Sequence, residues 1–185
     1  MFETEHFIAE CRAARATNDN HKAVADLMAA TVADPAAVLK GLGAPTEGGV
    51  QKLYHADDLT ILNVVWPAKM TVMPHNHDTW AVIGVYTGRE DNIFWRRLPD
   101  REDGKIEAAG ARTLGEKDAF PLGRDIIHSV TNPLSRLTGA IHVYGGDFFN
   151  IPRSEWDPEN LAEGPYDVER TMRLFEEGNA QRARG

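Results

Sequence analysis

The chain contains a single cysteine, Cys11, among its 185 residues. One cysteine cannot form a disulfide within the chain, so the fold must be held together by packing, as is usual in a reducing cytoplasm. Long apolar stretches are also missing, since the longest, such as 81–86, are far shorter than the roughly 20 residues of a membrane span. Glu3 and Glu5 stand where a signal peptide would carry positive charge. We therefore expect a cytoplasmic protein that does not engage a membrane.

Basic residues are outnumbered: 20 Lys and Arg face 28 Asp and Glu, and the formal net charge is -8. Contacts with phosphates require a basic face, and no cluster of Lys and Arg stands out, so the composition argues against a nucleic-acid partner. The length and the 42% of hydrophobic residues suit a single domain with a sizeable core. The oligomeric state stays open.

Three kinds of sequence pattern follow one another along the chain. Residues 1–49 have apolar residues at helical spacing and predict a helical extension, in which Asp34 and Pro35 are suited to begin a short helix and Gly41 to end it. Residues 50–152 alternate β-branched or aromatic runs with Gly, Pro and Asp, which predicts a sandwich or small barrel. The strands expected there are 59–66, 70–73, 80–86, 92–98, 126–130 and 137–144, with an exposed hairpin loop at 100–110.

The last part of the chain, residues 153–185, is predicted to be helical. Val168, Met172 and Phe175 recur at helical spacing, Gly178 is placed to end the helix, and residues 179–185 are expected to fray.

Two histidine-containing segments lie in the predicted β region. His75 and His77 share one face if their segment is extended, because side chains alternate across a strand. An H-x-H pair by itself is weak evidence for a metal site. About fifty residues later, His128 follows spaced Gly and Pro residues and precedes an Asn, in the pattern G-x5-P-x-G-x4-H-x3-N. The residues of this second segment are Gly115, Pro121, Gly123, His128 and Asn132.

Together the two segments resemble the paired motifs of the cupin superfamily. Gly88 stands where the first motif has its glycine, but Ala81 stands where it has a glutamate. The resemblance implies an all-β cupin fold, a small double-stranded β-helix barrel or jelly roll, flanked by helices at both ends. It also implies that His75, His77 and His128 bind a metal. The alternative is that three histidines merely fill a polar barrel mouth.

A narrower resemblance covers roughly residues 50–155. The stretch HNHDTWAVIGVYTGRE at 75–90 resembles the H-D-H-x-x-W-G-x-I-G-x-x-x-G-x-E segment of bacterial cysteine dioxygenase-type enzymes, and DIIHSVTN at 125–132 and IHVYG at 141–145 resemble two further segments. That family consists of cupin-fold, non-haem iron enzymes, which add both atoms of dioxygen to a thiolate sulfur and yield a sulfinate. The resemblance implies Fe(II) as cofactor, with a small thiol and dioxygen as partners.

A site with three histidines and no carboxylate suits this chemistry. Three neutral imidazoles leave the metal's +2 charge uncompensated, and a thiolate brings an anion that is also a soft ligand. Other three-His cupins remain open as alternatives, such as a dioxygenase that cleaves a diketone, as does a cupin that binds a metal or small ligand without catalysis.

The resemblance also assigns residues beside the metal. His142 and Tyr144 match two members of a Ser-His-Tyr row that acts beside the iron, with Ala140 in place of the serine. Tyr144 would offer a hydrogen bond to oxygen or substrate. The cysteine that cross-links to tyrosine in mammalian-type enzymes would lie at Val82, so that cofactor is not expected here.

The remaining assignments concern the substrate. Arg153 is the candidate clamp for a carboxylate, because a guanidinium can donate two parallel hydrogen bonds. Gln51 stands in place of the arginine of mammalian-type enzymes, as in the branch that prefers mercapto acids. Trp80, together with Trp66, is a candidate for the pocket wall. The substrate expected is a mercapto acid such as 3-mercaptopropionate, with cysteine as the next choice.

Overall fold

The computed structural model describes residues 2–17, 21–98 and 103–184. The helices are α1 (Thr4–Thr17), α2 (Lys22–Val32), α3 (Pro35–Leu42) and α4 (Val168–Arg182). The strands are β1 (Gly49–Ala56), β2 (Leu59–Trp66), β3 (Thr71–Asn76), β4 (Ala81–Thr87), β5 (Arg89–Arg97), β6 (Ile106–Gly115), β7 (Ala119–Leu122), β8 (Ile127–Thr131), β9 (Thr138–Tyr144), β10 (Ser154–Trp156) and β11 (Glu163–Pro165). No helix of the described part is both long and apolar enough to cross a bilayer.

The strands form two antiparallel sheets. The first has the order β1-β2-β9-β4-β7 and the second the order β11-β10-β3-β8-β5-β6. The eight strands β2 to β9 pass between the two sheets in the order of a jelly roll, in which two Greek keys face each other. The predicted double-stranded β-helix with helical flanks is therefore confirmed. The hydrogen-bonded ladders of the described strands form two separate sheets and do not close into one barrel.

Alternation along the strands of the first sheet separates its two faces. In β2, Leu59 and Ile61 face the helices α1 to α3, while Leu62, Val64 and Trp66 face the space between the sheets. This explains why β2 is buried along its whole length and is uniformly apolar except at Thr60 and Asn63.

The single cysteine belongs to this helix-covered core. Cys11 is fully buried on α1, and burial raises the pKa of its thiol to about 12. Because the thiolate is the reactive form, Cys11 is a packing residue and not a nucleophile.

The short helix α3 begins as predicted. The backbone N–H of Ala37 donates to the Asp34 carboxylate at 3.1 Å, and Pro35 occupies the first helical turn. The predicted end at Gly41 is wrong, because the helix continues to Leu42 and Gly43, with φ of 86°, forms its C-cap.

The C-terminal segment differs from the prediction. Residues 154–156 and 163–165 are strands, not helix, and they extend the second sheet, because the first pairs with β3 and the second pairs with the first. The helix begins only at Val168, where the N–H of Arg170 donates to the Asp167 side chain at 2.8 Å. Gly178 does not end this helix, which continues to Arg182. Gly178 instead allows the helix to pack closely against Pro67, because a Cβ at Gly178 would lie 2.4 Å from the Cβ of Pro67.

The loop predicted at 100–110 lies partly outside the described residues, which omit 99–102. From Ile106 onward the chain is already strand β6, paired with β5. The prediction that residues 179–185 fray is wrong up to Arg182, because α4 continues to that residue. Residue 185 lies outside the described part.

Two residues of the cupin-like motifs have structural roles. Asn132 is buried, and its side-chain N–H groups donate to the carbonyl oxygens of Trp66, Pro67 and Arg136. Gly88 joins β4 to β5 with φ of 86°, and a Cβ there would lie 2.2 Å from Thr138 Oγ1. Both residues make their contacts within the protein, at the connections between strands.

Substituting Gly88 with alanine should therefore destabilise the protein. The left-handed backbone and the overlap with the Thr138 backbone are together expected to lower the free energy of unfolding by about 3 kcal/mol, measured by urea denaturation. Gly110→Ala is the matched control, because a Cβ at Gly110 meets no atom within 4 Å. Equal stability of the two variants would contradict this account of Gly88.

Candidate metal centre

Two neighbouring strands of the second sheet bring the three predicted ligands together. His75 on β3 lies directly opposite His128 on β8, and His77 follows immediately after β3. The ring centroids of His75 and His128 are 4.6 Å apart, and that of His77 lies 5.2 Å and 4.9 Å from them. One ring nitrogen of each histidine lies within 4.8 Å of the other two. All three side chains are buried.

Hydrogen bonds fix which nitrogen of two of these rings faces the centre. His75 donates its Nδ1–H to the carbonyl oxygen of Met73 at 2.9 Å, and His128 donates its Nδ1–H to the side-chain oxygen of Asn92 at 2.9 Å. Their Nε2 lone pairs are therefore directed into the cluster, where Nε2 of His128 lies 3.2 Å from Nε2 of His77. Such outer hydrogen bonds are the usual way in which proteins orient metal-binding imidazoles.

Burial keeps the three rings neutral. It lowers the pKa of His75 to about 4, although the hydrogen bond to Met73 acts in the opposite direction, and the nearby charge of Arg153 lowers it further. The pKa values of His77 and His128 also lie well below the ordinary value, first because of burial and then because the rings repel one another when charged. Neutral imidazole is the form that binds metals.

The donor set fits a transition metal. Three convergent, neutral imidazole nitrogens suit Fe(II), Ni(II), Cu(II) or Zn(II), and the identity of the ion is not set by these ligands alone. Within the described ranges, no carboxylate joins the group. This agrees with Ala81 at the motif position where a glutamate was expected.

His142 and Tyr144 lie beside the cluster on β9. Both side chains face the space between the sheets, and Nδ1 of His142 lies 3.0 Å from the Tyr144 hydroxyl. The Tyr144 ring meets the ring of His77 edge to face, with centroids 5.2 Å apart, and stacks on Phe148 at 3.7 Å. Burial raises the pKa of Tyr144, so its hydroxyl keeps its proton at neutral pH.

Strand β5 adds two buried polar residues that the sequence prediction did not assign. Glu90 and Asn92 share one face of the strand; Asn92 orients His128, and Glu90 approaches His142. Trp66 donates its Nε1–H to Glu90 Oε1 at 2.6 Å, and Nε2 of His142 lies 3.6 Å from the same oxygen. The period-two alternation of β5 is the sequence feature that places both on one face, but it does not say which face is inward.

A cavity of about 320 Å³ opens beside these residues. Aliphatic and aromatic side chains form most of its wall, which no acidic side chain of the described residues joins. The residues that line it are Val50, Lys52, Leu62, Val64, Trp66, Val72, His75, His142, Tyr144, Phe148, Phe149, Arg153, Tyr166, Val168, Thr171, Met172 and Phe175.

Arg153 is part of this wall. Its guanidinium lies between the rings of Phe148, at 3.9 Å, and Tyr166, at 4.6 Å, and it donates to the carbonyl oxygen of Phe148. No Asp or Glu of the described residues forms an ion pair with it. Burial lowers the pKa of Arg153, which still leaves a guanidinium charged at neutral pH.

The structure does not bring Gln51 to this cavity. Gln51 accepts a hydrogen bond from Asn63 at 3.2 Å and is exposed on the other face of β1. Its neighbours Val50 and Lys52 face the cavity instead, because side chains alternate along the strand. Lys52 is therefore the polar residue that β1 contributes to the cavity rim.

Trp80 is also absent from the cavity wall. It packs on the helix side of the first sheet, against Gly145 and 6.1 Å from the ring of His21. Of the two tryptophans considered, Trp66 is the one that lines the cavity.

Position 82, where the resemblance placed a cross-linking cysteine, also lies on the face of its strand that points away from the cavity. Val82 faces the helix-covered core, on the opposite side of the sheet from Tyr144. Ala81 is the residue directly opposite Tyr144, on the inner face. A cysteine at position 82 would thus point away from the tyrosine, and neither position holds one.

Comparison with known proteins finds similarity in fold only. No family model and no curated protein matches the chain. Among solved structures, an RmlC-like cupin with a double-stranded β-helix fold from Methanocaldococcus jannaschii is 15% identical (TM-score 0.44, covering 58% of this chain and 86% of that one). A conserved Klebsiella pneumoniae protein with a double-stranded β-helix domain is 11% identical (TM-score 0.44, 60% and 83%).

An oxalate decarboxylase variant from Bacillus subtilis is 14% identical (TM-score 0.42), and the match covers 56% of this chain and 26% of that one. Similarity at this level says nothing about activity. The fold assignment depends on the strand order of the chain itself.

The buried, neutral histidines make a prediction about pH. The unfolded chain takes up a proton on His75 below its ordinary pKa of 6.5, whereas the folded protein does so only near 4. Between these values the unfolded state binds more protons, so the metal-free protein should lose stability as the pH falls, by about 2 kcal/mol for His75 alone near pH 5. Urea denaturation at pH 7.5 and pH 5 measures this loss.

The control is His75→Gln, which removes the titrating ring and should reduce the loss on acidification. An equal loss in the variant and the original protein would contradict the assignment of a neutral, buried His75.

Metal binding itself should depend on the cluster. His128→Ala is expected to weaken the binding of Fe(II) or Co(II) by at least about 100-fold, since even outer hydrogen-bond partners of metal ligands contribute 10- to 100-fold. Metal content after anaerobic loading and desalting measures this. His55→Ala is the control, because His55 lies outside the cluster and pairs with Asp147 at 2.7 Å. Stoichiometric metal in the His128 variant would show that the ligand assignment is wrong.

Proposed function

We propose that this protein is an Fe(II)-dependent dioxygenase that oxidises a small mercapto acid to its sulfinate. The observation that carries the proposal is the guanidinium of Arg153, which has no acidic partner among the described residues and lies in the same cavity wall as His75, His142 and Tyr144. It supplements the three-histidine cluster, which by itself also suits other metal-dependent functions.

Charge complementarity favours a substrate with two anionic groups. Three neutral imidazoles leave the +2 charge of a bound ion uncompensated, and Arg153 adds a second positive charge next to the cavity. A mercapto acid, which is a thiolate at one end and a carboxylate at the other, matches both charges. Bound Fe(II) would supply the activation of dioxygen and would lower the pKa of the thiol.

The side chains of the chain provide the position and the environment. The rings of Phe148 and Tyr166 hold the Arg153 guanidinium in place, so its remaining N–H groups can receive a carboxylate in a fixed orientation. Apolar residues form most of the rest of the wall, and a low local dielectric strengthens these interactions. The Tyr144 hydroxyl, held by His142, is the polar group next to His77.

The lining also favours a mercapto acid over cysteine. The α-ammonium group of cysteine would need a carboxylate partner, and none of the described residues that line the cavity provides one. Instead it would meet the positive charges of Arg153 and Lys52. Burying an unpaired ammonium group is costly, so cysteine should be the poorer substrate.

Oxygen uptake by the iron-loaded protein tests the activity. A panel should include 3-mercaptopropionate, cysteine, an uncharged thiol and a diketone, with the sulfinate identified by mass spectrometry. Uptake with the mercapto acid and formation of its sulfinate is the expected result. No oxygen uptake with any thiol at full iron occupancy would contradict the proposal. In that case, uptake with the diketone alone would indicate a diketone-cleaving dioxygenase. No uptake with any compound of the panel would indicate a binding protein.

Removing the guanidinium should impair the carboxylated substrate selectively. Arg153→Met is expected to raise KM for the mercapto acid by about 10- to 100-fold, because a hydrogen bond to a charged group contributes about 1.5–3 kcal/mol. The alcohol analogue 3-mercapto-1-propanol has no carboxylate, so its KM should change little. Initial rates of oxygen uptake for both thiols measure the difference.

Arg96→Met is the matched control, because Arg96 is exposed, pairs with Glu107 and does not line the cavity. An equal rise in KM for both thiols in the Arg153 variant would rule out its role as a carboxylate clamp.

A further inference from the structure

Glu90 is a carboxylate with no cationic side chain to neutralise it among the described residues. It is 0% exposed, and one of its oxygens accepts the Nε1–H of Trp66 at 2.6 Å. The ionisable group that approaches it is His142, whose Nε2 lies 3.6 Å from Glu90 Oε1. Nε2 of His142 and the other carboxylate oxygen, Oε2 of Glu90, are buried and have no hydrogen-bond partner among the described residues, so the Glu90–His142 approach is electrostatic at this distance.

The other nitrogen of His142 connects this pair to Tyr144. Nδ1 lies 3.0 Å from the Tyr144 hydroxyl, and either atom can be the donor, depending on which ring nitrogen carries the proton. If Nδ1 carries it, His142 donates to the tyrosine oxygen, and the lone pair of Nε2 faces the Glu90 carboxylate. If Nε2 carries it, His142 donates toward Glu90, and Tyr144 donates its hydroxyl proton to Nδ1.

An ionised carboxylate has only acceptors, so it favours the second arrangement. In the first, a lone pair and a carboxylate oxygen would face each other in a buried site, and an Nε2 acceptor would remain unsatisfied, which is costly. In the second, the N–H of Nε2, the N–H of Trp66 and the O–H of Tyr144 all point at acceptors. Ala140, the residue two before His142 on the same strand, has no polar side chain to influence this choice.

We propose that Glu90 is a positioning residue that holds His142 in the tautomer protonated on Nε2, and thereby directs the Tyr144 hydroxyl proton to His142. The lone pairs of the tyrosine oxygen then face the cavity. Tyr144 therefore acts as a hydrogen-bond acceptor toward a bound molecule, such as the S–H group of a thiol before it ionises. Its importance for oxidation of a mercapto acid rests on the function proposed above, whereas the tautomer itself does not.

Nitrogen NMR of the metal-free protein, labelled with ¹⁵N-histidine, measures the tautomer directly. The original protein should show His142 protonated on Nε2. Glu90→Leu keeps the approximate size of the side chain but removes the oxygen that faces Nε2, so His142 should change to the form protonated on Nδ1, which donates to Tyr144. Glu90→Ala should likewise lose the preference for Nε2.

The chain offers internal and matched controls. His55 pairs with Asp147 and not with Glu90 or His142, so its NMR signals should stay unchanged in all variants and report that the fold is intact. Trp66→Phe removes the indole N–H but leaves the carboxylate, so His142 should stay protonated on Nε2. A His142 protonated on Nδ1 in the original protein, or an unchanged tautomer in Glu90→Leu, would overturn the proposal.

The kinetic consequence is tested separately. In iron-loaded Glu90→Leu, kcat for the mercapto acid should fall by about 10- to 100-fold, the effect expected when one hydrogen bond to a charged or reacting group is lost. KM should change little, because Arg153 is untouched. An unchanged kcat in a variant whose tautomer has switched would overturn the catalytic importance of Glu90. If the original protein oxidises no thiol, the function proposed above fails, while the NMR result still decides the role of Glu90.

Discussion

The constraint on which the site depends is the burial of three imidazoles without a carboxylate among them. A charged ring is costly at such a position, so all three must be neutral, and each neutral ring must point a lone pair inward. His75 and His128 meet this requirement because they face each other across a ladder and hydrogen-bond outward to Met73 and Asn92. The sheets therefore determine both the charge state and the direction of the ligands.

Strand β5 links this cluster to the row behind it. The same inward face carries Asn92, which orients a ligand, and Glu90, which approaches His142. Through His142 the influence of Glu90 reaches the hydroxyl of Tyr144, whose ring touches His77. One strand thus supports the candidate metal ligands and the groups that would contact a substrate. A shift of its register by one residue would remove both supports at once.

The charge of the cavity is opposite to that of the whole molecule. The net charge of -8 describes the surface, whereas the cavity wall carries Arg153 and Lys52 and no acidic residue of the described chain. Arg153 reaches this wall because β10, which begins directly after it, pairs with β3 at Glu155 and His75. Helix α4 completes the wall with Met172 and Phe175. The segment after the jelly roll is thus part of the site.

The sequence alone determined features that depend on local spacing. The strand at 59–66 and the capping of α3 by Asp34 follow from residue types at short intervals, whose geometry is local. The grouping of His75, His77 and His128 was implied by the resemblance of two segments about fifty residues apart, and the structure brings the three together. The resemblance also implied the fold class. Only the tertiary structure decided which face of each strand is inward: it placed Lys52, not Gln51, at the cavity, turned Trp80 toward the helices, and brought Glu90 to His142.

The same limit applies to the strands β10 and β11. They form because β3 has a free edge with which β10 pairs, and β10 in turn pairs with β11, and not because of their own sequence pattern. Alternation along a strand says which side chains share a face, but the pairing partners and their register decide what that face meets.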